Sequence, residues 1–392
     1  MATDFPVDSV CSRCLGRSYA KVGSGFSNIV RGRIVEFVFH ILGLDLPDIV
    51  EEGSCKICSG SLSDLDRYTL AIAGRVSGYE FSNFLVGSTF DREVLSVEGS
   101  FQEVMGGLGE SIKKEFNREC GKSLSETLKK EVEFLNPDLT IIVDLRYDSI
   151  ALQTSSVYIS GTYRKTRRDL PQTRWIHGDH PGDSVEEIVG IPLQEMTASE
   201  NFFLHGAGRE DVDVRMLGNG RQFVIEAYHP VKRAVDLDRF RETVNGSGRG
   251  VEISNLSFCD VSLIRKIKAD TNDKTYRARV EFDSFPGEEK VRSAIEIMAG
   301  KIIYQRTPLR VASRRSDLIR ERRIISIELE DFHGNLATLI VTAQSGTYIK
   351  EMLNGDNGRT EPSLSSLCEM PVRVLELDVI MIHRGENTDK NV

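Results

Sequence analysis

Apolar residues recur at helical spacing from Phe26 to Leu42, Leu65 to Ala73, Ser111 to Glu119 and Leu124 to Phe134, predicting four helices in the first third of the chain. Between and after them lie β-type runs: Tyr79 to Gly87, Asp138 to Asp144 and Ser149 to Gly161, the last two joined by a short polar turn. The polar stretch His177-Gly-Asp-His180-Pro-Gly-Asp-Ser184 reads as a linker, its histidines as loop residues without a third ligand. Beyond it, strands are expected near Phe202, Phe223, Val251, Tyr276, Ile302, Ile324 and Leu339, and helices from Asp236 to Val244 and from Glu288 to Met298. Most of these strands alternate apolar and polar positions, the pattern of a sheet with one face buried. The pattern predicts an α+β fold with a large, mainly antiparallel sheet after residue 177, an α/β domain over 61–176, and a separate region over 1–60. The polar tail from Glu386 is expected to fray.

Length and composition narrow this only a little. With 392 residues, 40% hydrophobic and 28% charged, the chain is ordinary globular material for two or three domains. No window holds eighteen consecutive apolar residues, and Asp4 and Asp8 stand where a signal peptide would be basic and apolar, so a cytoplasmic protein with no membrane partner is expected.

The cysteines change the picture more. Cys11-Ser-Arg-Cys14 and Cys55-Lys-Ile-Cys58 are two C-x-x-C knuckles, and together they supply the four sulfurs of a closed, structural zinc site. Cys120, Cys259 and Cys368 are isolated in apolar surroundings and read as inert thiols.

The net charge of −9 speaks against a nucleic-acid partner until its distribution is considered. From Lys301 to Arg323 eight basic residues, among them Arg306, Arg310, Arg314 and Arg315, face two acidic ones, a net of +6. From Tyr163 to Trp175 five basic residues, Arg164, Lys165, Arg167, Arg168 and Arg174, face Asp169 alone, a net of +4. An acidic body carrying two Arg-rich stripes is the footprint of a nucleic-acid-binding protein, because guanidinium groups fork onto phosphate.

The most unusual local string runs Gly206-Ala-Gly-Arg-Glu-Asp-Val-Asp-Val-Arg-Met-Leu-Gly-Asn-Gly-Arg221. Arginines interleave with Glu210, Asp211 and Asp213, which suits an ionised nucleophile or a salt-bridged loop. It also leaves open a Mg²⁺ site of the nuclease kind, in which the arginines compete for the same oxygens. The glycines do not spell a dinucleotide fingerprint.

Gly208-Arg209-Glu210-Asp211 resembles the G-R-x-D catalytic loop of pseudouridine synthases. Lys274-Thr-Tyr276-Arg-Ala278 resembles their K-x-Y-x-A strand, and Gly346-Thr-Tyr348-Ile-Lys350 their G-T-Y-I-[R/K] segment. The longer strings from Gly208 and from Asn354 to Thr360 resemble the archaeal-type tRNA enzyme that modifies uridine 55, and often uridine 54, of the TΨC loop. That family also carries an N-terminal zinc region and a THUMP domain, the latter matched here by the Asn136-Pro137-Asp138 turn. Two departures are Ser313, where a His is expected, and Gln222, where a Pro is expected. The resemblance implies Asp211 as the catalytic carboxylate with Lys350 as its cation, and Tyr276, Tyr348 and Arg209 around the target base. It further implies tRNA as partner, no catalytic cofactor and no obligate protein partner. A Mg²⁺-dependent RNA nuclease and a non-catalytic tRNA-binding protein are the alternatives; the first would be sensitive to EDTA, the second would bind tRNA and leave it unchanged.

Overall fold

The computed structural model describes residues 4–174, 183–313 and 315–384, and divides into two compact units: 1–155 with 229–233, and 156–228 with 234–392. His177, His180, Arg314 and the tail from Glu386 lie outside the described residues.

The first unit is built on a four-stranded sheet in the order Glu131–Val132, Asn83–Thr89, Leu139–Asp144, Ser149–Thr154. Its first three strands run parallel and the last is antiparallel. Helix Ile112–Leu128 packs on it, and helix Leu65–Val76 packs against that helix. The two helical runs expected at 111–119 and 124–134 are one helix, Ile112–Leu128. Gly121 sits within it, and the helix ends where Lys129 turns left-handed at φ 55°.

Residues 1–60 do not form a separate body. Val10, Leu15, Ile57 and Leu62 share one continuous apolar core with Phe84, Phe101 and Phe116. At its centre the fully buried Arg17 bridges Glu98 at 2.6 Å and Glu115 at 2.9 Å, pairs that satisfy an otherwise costly buried charge.

The second unit carries a ten-stranded sheet. From one edge its order is Val251–Phe258, Val157–Lys165, Arg215–Tyr228, Val372–His383, Asp273–Phe282, Leu336–Ala343, Ile319–His333, Ile302–Arg306 and Thr360–Glu361, with Asn201–Gly206 also pairing on Arg215–Tyr228. Every pairing is antiparallel except Arg215–Tyr228 against Val372–His383. The boundary expected at 176 therefore moves to Ser155/Ser156. The strand Val157–Lys165 pairs on both sides within this sheet, which takes the basic block Arg164–Arg174 out of the first unit.

The helix Val185–Thr197 was not expected, since Gly190 and Pro192 interrupt its pattern. Gly190 is there for space: an added Cβ would lie 2.0 Å from the Phe202 ring. Among the described residues no helix is long and apolar enough to cross a membrane.

Candidate active site

The loop between Asn201–Gly206 and Arg215–Tyr228 presents the interleaved acids. Gly208 takes φ +88°, a conformation that L side chains avoid, and an added Cβ there would meet the Arg221 guanidinium at 2.8 Å. The turn aims alternate side chains in opposite directions. Glu210 points into the core, while Asp211 and Asp213 point out.

Beneath the loop lies a polar network. Arg221 Nε is 2.9 Å from Glu210 Oε2, both side chains being essentially inaccessible. Tyr163 Oη donates to Glu210 at 2.9 Å, and Gln172 donates both to Tyr163 Oη at 2.8 Å and to the Gly208 carbonyl at 2.9 Å. Burial, reinforced by Glu210, pushes the Tyr163 phenol well above the usual tyrosine range.

Lys165, expected on RNA, is fully buried instead. It stands at an inward position of its strand, and its ammonium donates to the carbonyls of Leu170 at 2.8 Å and of Asp211 and Val212 at 3.1 Å each. Burial lowers its pKa from the usual lysine value. It is a positioning residue for the loop. Lys165→Met should therefore reduce turnover while leaving the salt dependence of tRNA binding unchanged, whereas losing a phosphate-contacting lysine would lower the log–log salt slope by about one. A binding titration at several salt concentrations separates the two.

Above the loop, the cations are arranged otherwise than expected. The nearest cation to Asp211 is Arg310, whose Nη1 lies 2.8 Å from Oδ1. Lys350 Nζ is 2.7 Å from both Asp213 oxygens and 3.5 Å from Asp211 Oδ2, so one ammonium serves two carboxylates. Burial pushes the Asp213 carboxyl up, but the bonded Lys350 outweighs it and holds the group below the usual carboxylate range. Arg310 also pairs with the buried Glu351 at 2.6 Å, which fixes the guanidinium between them. Its place in a basic stripe gave no sign of this, because the pairing crosses 99 residues of sequence.

Tyr276 lies on the central strand Asp273–Phe282, opposite Val341 and Val379. Burial raises its phenol to about 12, with Arg221 opposing and Asp211 adding to the effect, so the hydroxyl is in the electrostatic field of the carboxylate. Tyr348 begins the short helix Ile349–Asn354. Its backbone is clamped by the buried Gln305, which accepts from Tyr348 N and donates to Tyr348 O, both at 2.9 Å. Gln305 was not singled out in the sequence, since a lone Gln within a strand pattern carries no signal. Arg209 is exposed and has no ion-pair partner among the described residues.

The remaining basic candidates are distributed over several partners. Arg315 donates to Tyr348 Oη at 2.9 Å, and Arg306 pairs with Asp317 at 2.6 Å. Arg164 pairs with Glu252 at 3.1 Å and Arg167 with Asp183 at 3.0 Å, all part-exposed contacts worth little in themselves. Arg168 contacts Asp378 at 2.8 Å and donates to the Asp213 carbonyl at 2.9 Å, which makes it a support of the loop.

In the first unit the four knuckle cysteines are buried, their sulfurs within 4.8 Å of one another. The Cys11–Cys58 and Cys14–Cys55 sulfur separations are 3.7 and 3.6 Å. A tetrahedral tetrathiolate with metal–sulfur bonds of about 2.3 Å requires sulfur–sulfur edges of about 3.8 Å, so the donor set fits such a metal.

Comparison with known proteins bears on both units. The family model for the Pus10 C-terminal region matches residues 158–383, and that for the archaeal Pus10 THUMP domain matches residues 68–144. The tRNA pseudouridine synthase Pus10 of Thermoplasma acidophilum is 45% identical over 382 residues, covering 96% of this chain and 97% of its own. That of Picrophilus torridus is 44% identical over 380 residues, covering 96% and 98%. That of Methanothrix thermoacetophila is 35% identical over 418 residues, covering 95% and 91%.

Proposed function

Since the chain belongs to the Pus10 family and is a tRNA pseudouridine synthase, we propose that it isomerises uridine 55, and uridine 54 as well, in the TΨC loop of tRNA, with Asp211 as the catalytic carboxylate. The observation that carries this reading is the placing of Asp211 at the tip of a rigidly supported loop, between the cations of Arg310 and Lys350. Isomerisation breaks the N1–C1′ bond, turns the base, and forms the C5–C1′ bond; the proton on C5 is lost and N1 gains one. The net electron count does not change. A carboxylate aimed between two cations can act as nucleophile or base in this sequence. Tyr276 faces the flipped base with its ring, Tyr348 lines the other side, and Arg209, without an ion-pair partner among the described residues, meets the RNA backbone at the mouth. Arg306, Arg164 and Arg167 contact phosphates, exchanging weak surface pairs for charge-assisted bonds to RNA, and Arg315 does so beside Tyr348.

The test is direct. Purified protein incubated with unmodified tRNA transcript should give carbodiimide-dependent primer-extension stops at positions 54 and 55. Stops elsewhere, with none in the TΨC loop, would refute the assigned position.

The cysteine cluster is assigned to zinc, with Cys11, Cys14, Cys55 and Cys58 as ligands in a structural site, and the protein to the cytoplasm. Bound zinc would tie the knuckles together. Because apparent zinc-binding energies reach roughly 10–16 kcal/mol, more than many domains' whole stability, Cys58→Ser should lose the metal and melt the first unit at a far lower temperature. Elemental analysis should give one zinc per wild-type chain. A metal-free preparation with unaltered melting would remove zinc from the account.

A further inference from the structure

The short helix Ser12–Arg17 carries the second cysteine of the first knuckle and, one turn later, Arg17. Residues three apart on a helix share a face, so the Arg17 guanidinium comes back against the knuckle. Its Nη2 donates to Cys14 Sγ at 3.2 Å. Two backbone amides turn on the same cluster, Cys11 N donating to Cys55 Sγ at 3.3 Å and Cys14 N to Cys11 Sγ at 3.4 Å. Amide donors are ordinary around thiolates. A fully buried guanidinium is not, because a cation taken out of water needs negative charge and acceptors around it. Four thiolates on a divalent ion keep a net negative charge, and Arg17 is the cation that touches them.

The other nitrogens of the same guanidinium lead away from the cysteines. Nε donates to Glu98 Oε1 at 2.6 Å and Nη1 to Glu115 Oε2 at 2.9 Å. Glu98 in turn accepts from Ile112 N, at 2.9 Å on Oε1 and 3.0 Å on Oε2. That amide is the first of the helix Ile112–Leu128, and Glu115 lies in the helix's first turn. Carboxylates are favoured there, since the first amides of a helix have no acceptor within it. Arg13, inside the first knuckle, adds a second strap. Its Nε donates to Glu52 Oε1 at 2.9 Å, just ahead of the second knuckle, and its Nη1 lies 3.7 Å from Glu115 Oε1. One planar fork thus joins Cys14 to the start of a helix across 98 residues of sequence.

Resting on the assignment of the cysteine cluster to zinc, we propose that Arg17 is a positioning residue for the metal and ties its retention to the order of the helix Ile112–Leu128, within the region matched by the THUMP model. The guanidinium orients Cys14 and offsets the charge of the thiolates. Cys14, held by the metal, fixes the guanidinium that Glu98 and Glu115 meet at the helix start. Such coupling is reciprocal: loosening the helix start weakens metal binding, and removing the metal loosens the helix start. An arginine serving only as countercharge to the two glutamates carries no such link.

Chelator competition and hydrogen exchange on the full-length, zinc-loaded protein test it. Arg17→Met should lower zinc affinity about 10–100-fold, and Arg17→Lys, which keeps the charge without the three-way fork, should fall between it and the wild type. With cobalt(II) in place of zinc, Arg17→Met should move the thiolate-to-cobalt charge-transfer band to lower energy, because Cys14 loses a hydrogen bond that stabilises its lone pairs. In the wild type, stripping zinc below the melting temperature of the metal-free protein should speed amide exchange at residues 112–115 on the order of tenfold, and less between Leu139–Asp144 and Ser149–Thr154. This last measurement needs no variant and stands even if Arg17→Met fails to fold. A wild type that takes up no zinc would remove the zinc assignment and this proposal with it. Zinc binding at wild-type affinity in a folded Arg17→Met protein, an unmoved cobalt band, or helix-start amides as protected without metal as with it would overturn this proposal alone.

Discussion

Asp211→Asn is expected to abolish pseudouridine formation while leaving tRNA affinity within a few-fold of wild type. The carboxamide keeps the size of the side chain but can neither attack nor abstract a proton, so the loss should appear in turnover and not in binding. The companion change, Asp213→Asn, should behave differently. Lys350 lies 2.7 Å from Asp213 and 3.5 Å from Asp211, so removing the Asp213 charge frees the ammonium for the carboxylate that remains. Arg310 meanwhile stays 2.8 Å from Asp211 and anchored on Glu351. Asp213→Asn should therefore retain measurable turnover, assayed by release of tritium from C5-labelled uridine in tRNA. Equal and complete loss from both changes would favour a pair of carboxylates sharing a metal ion over a single catalytic one.

Much of this site was legible because its chemistry is local in sequence. Gly208, Arg209 and Asp211 sit within one turn, and the left-handed φ of Gly208 is the reason the string needs a glycine there. What the sequence did not reveal is long-range. Lys165 and Arg310 belong to basic stripes, and charge counting placed both on RNA; strand alternation turns one inward, and a crossing of 99 residues carries the other onto Asp211. Charge counts record how many cations a segment has, not which way each one faces.

The fold divides along the same line. The large antiparallel sheet and the helices with clean periodicity, such as Leu237–Gly246 and Glu288–Met298, followed from the apolar pattern. The boundary did not, because the polar stretch after Trp175 looks like a linker although the chain has already entered the second sheet at Val157. Likewise the strand Val372–His383, which supplies the sheet's parallel pairing, was missed. It runs apolar, polar and apolar without strict alternation because two β-bulges interrupt its pairing with Asp273–Phe282.

Glu210→Gln is expected to have the largest effect on the stability of the second unit. The substitution preserves volume but leaves the Arg221 guanidinium, 2% exposed, without a countercharge. Breaking a buried pair by neutralising one partner costs about 3–5 kcal/mol, because the desolvation of the surviving charge is no longer offset. Tyr163 Oη also loses a charged acceptor, and Gln172 is the link from Tyr163 to the Gly208 carbonyl, so the loop should loosen together with the core. For a domain of this size the shift in melting temperature should be on the order of 10 °C. Activity should fall with it, since the turn that carries Asp211 is held from below by these same groups. The neutral double variant, Glu210→Gln with Arg221→Gln, should recover part of the stability by removing the orphaned charge, whereas Arg221→Gln alone should destabilise comparably to Glu210→Gln. Differential scanning calorimetry of the three variants decides the matter: a single Glu210→Gln change that melts with the wild type would show that the buried pair does not support the loop.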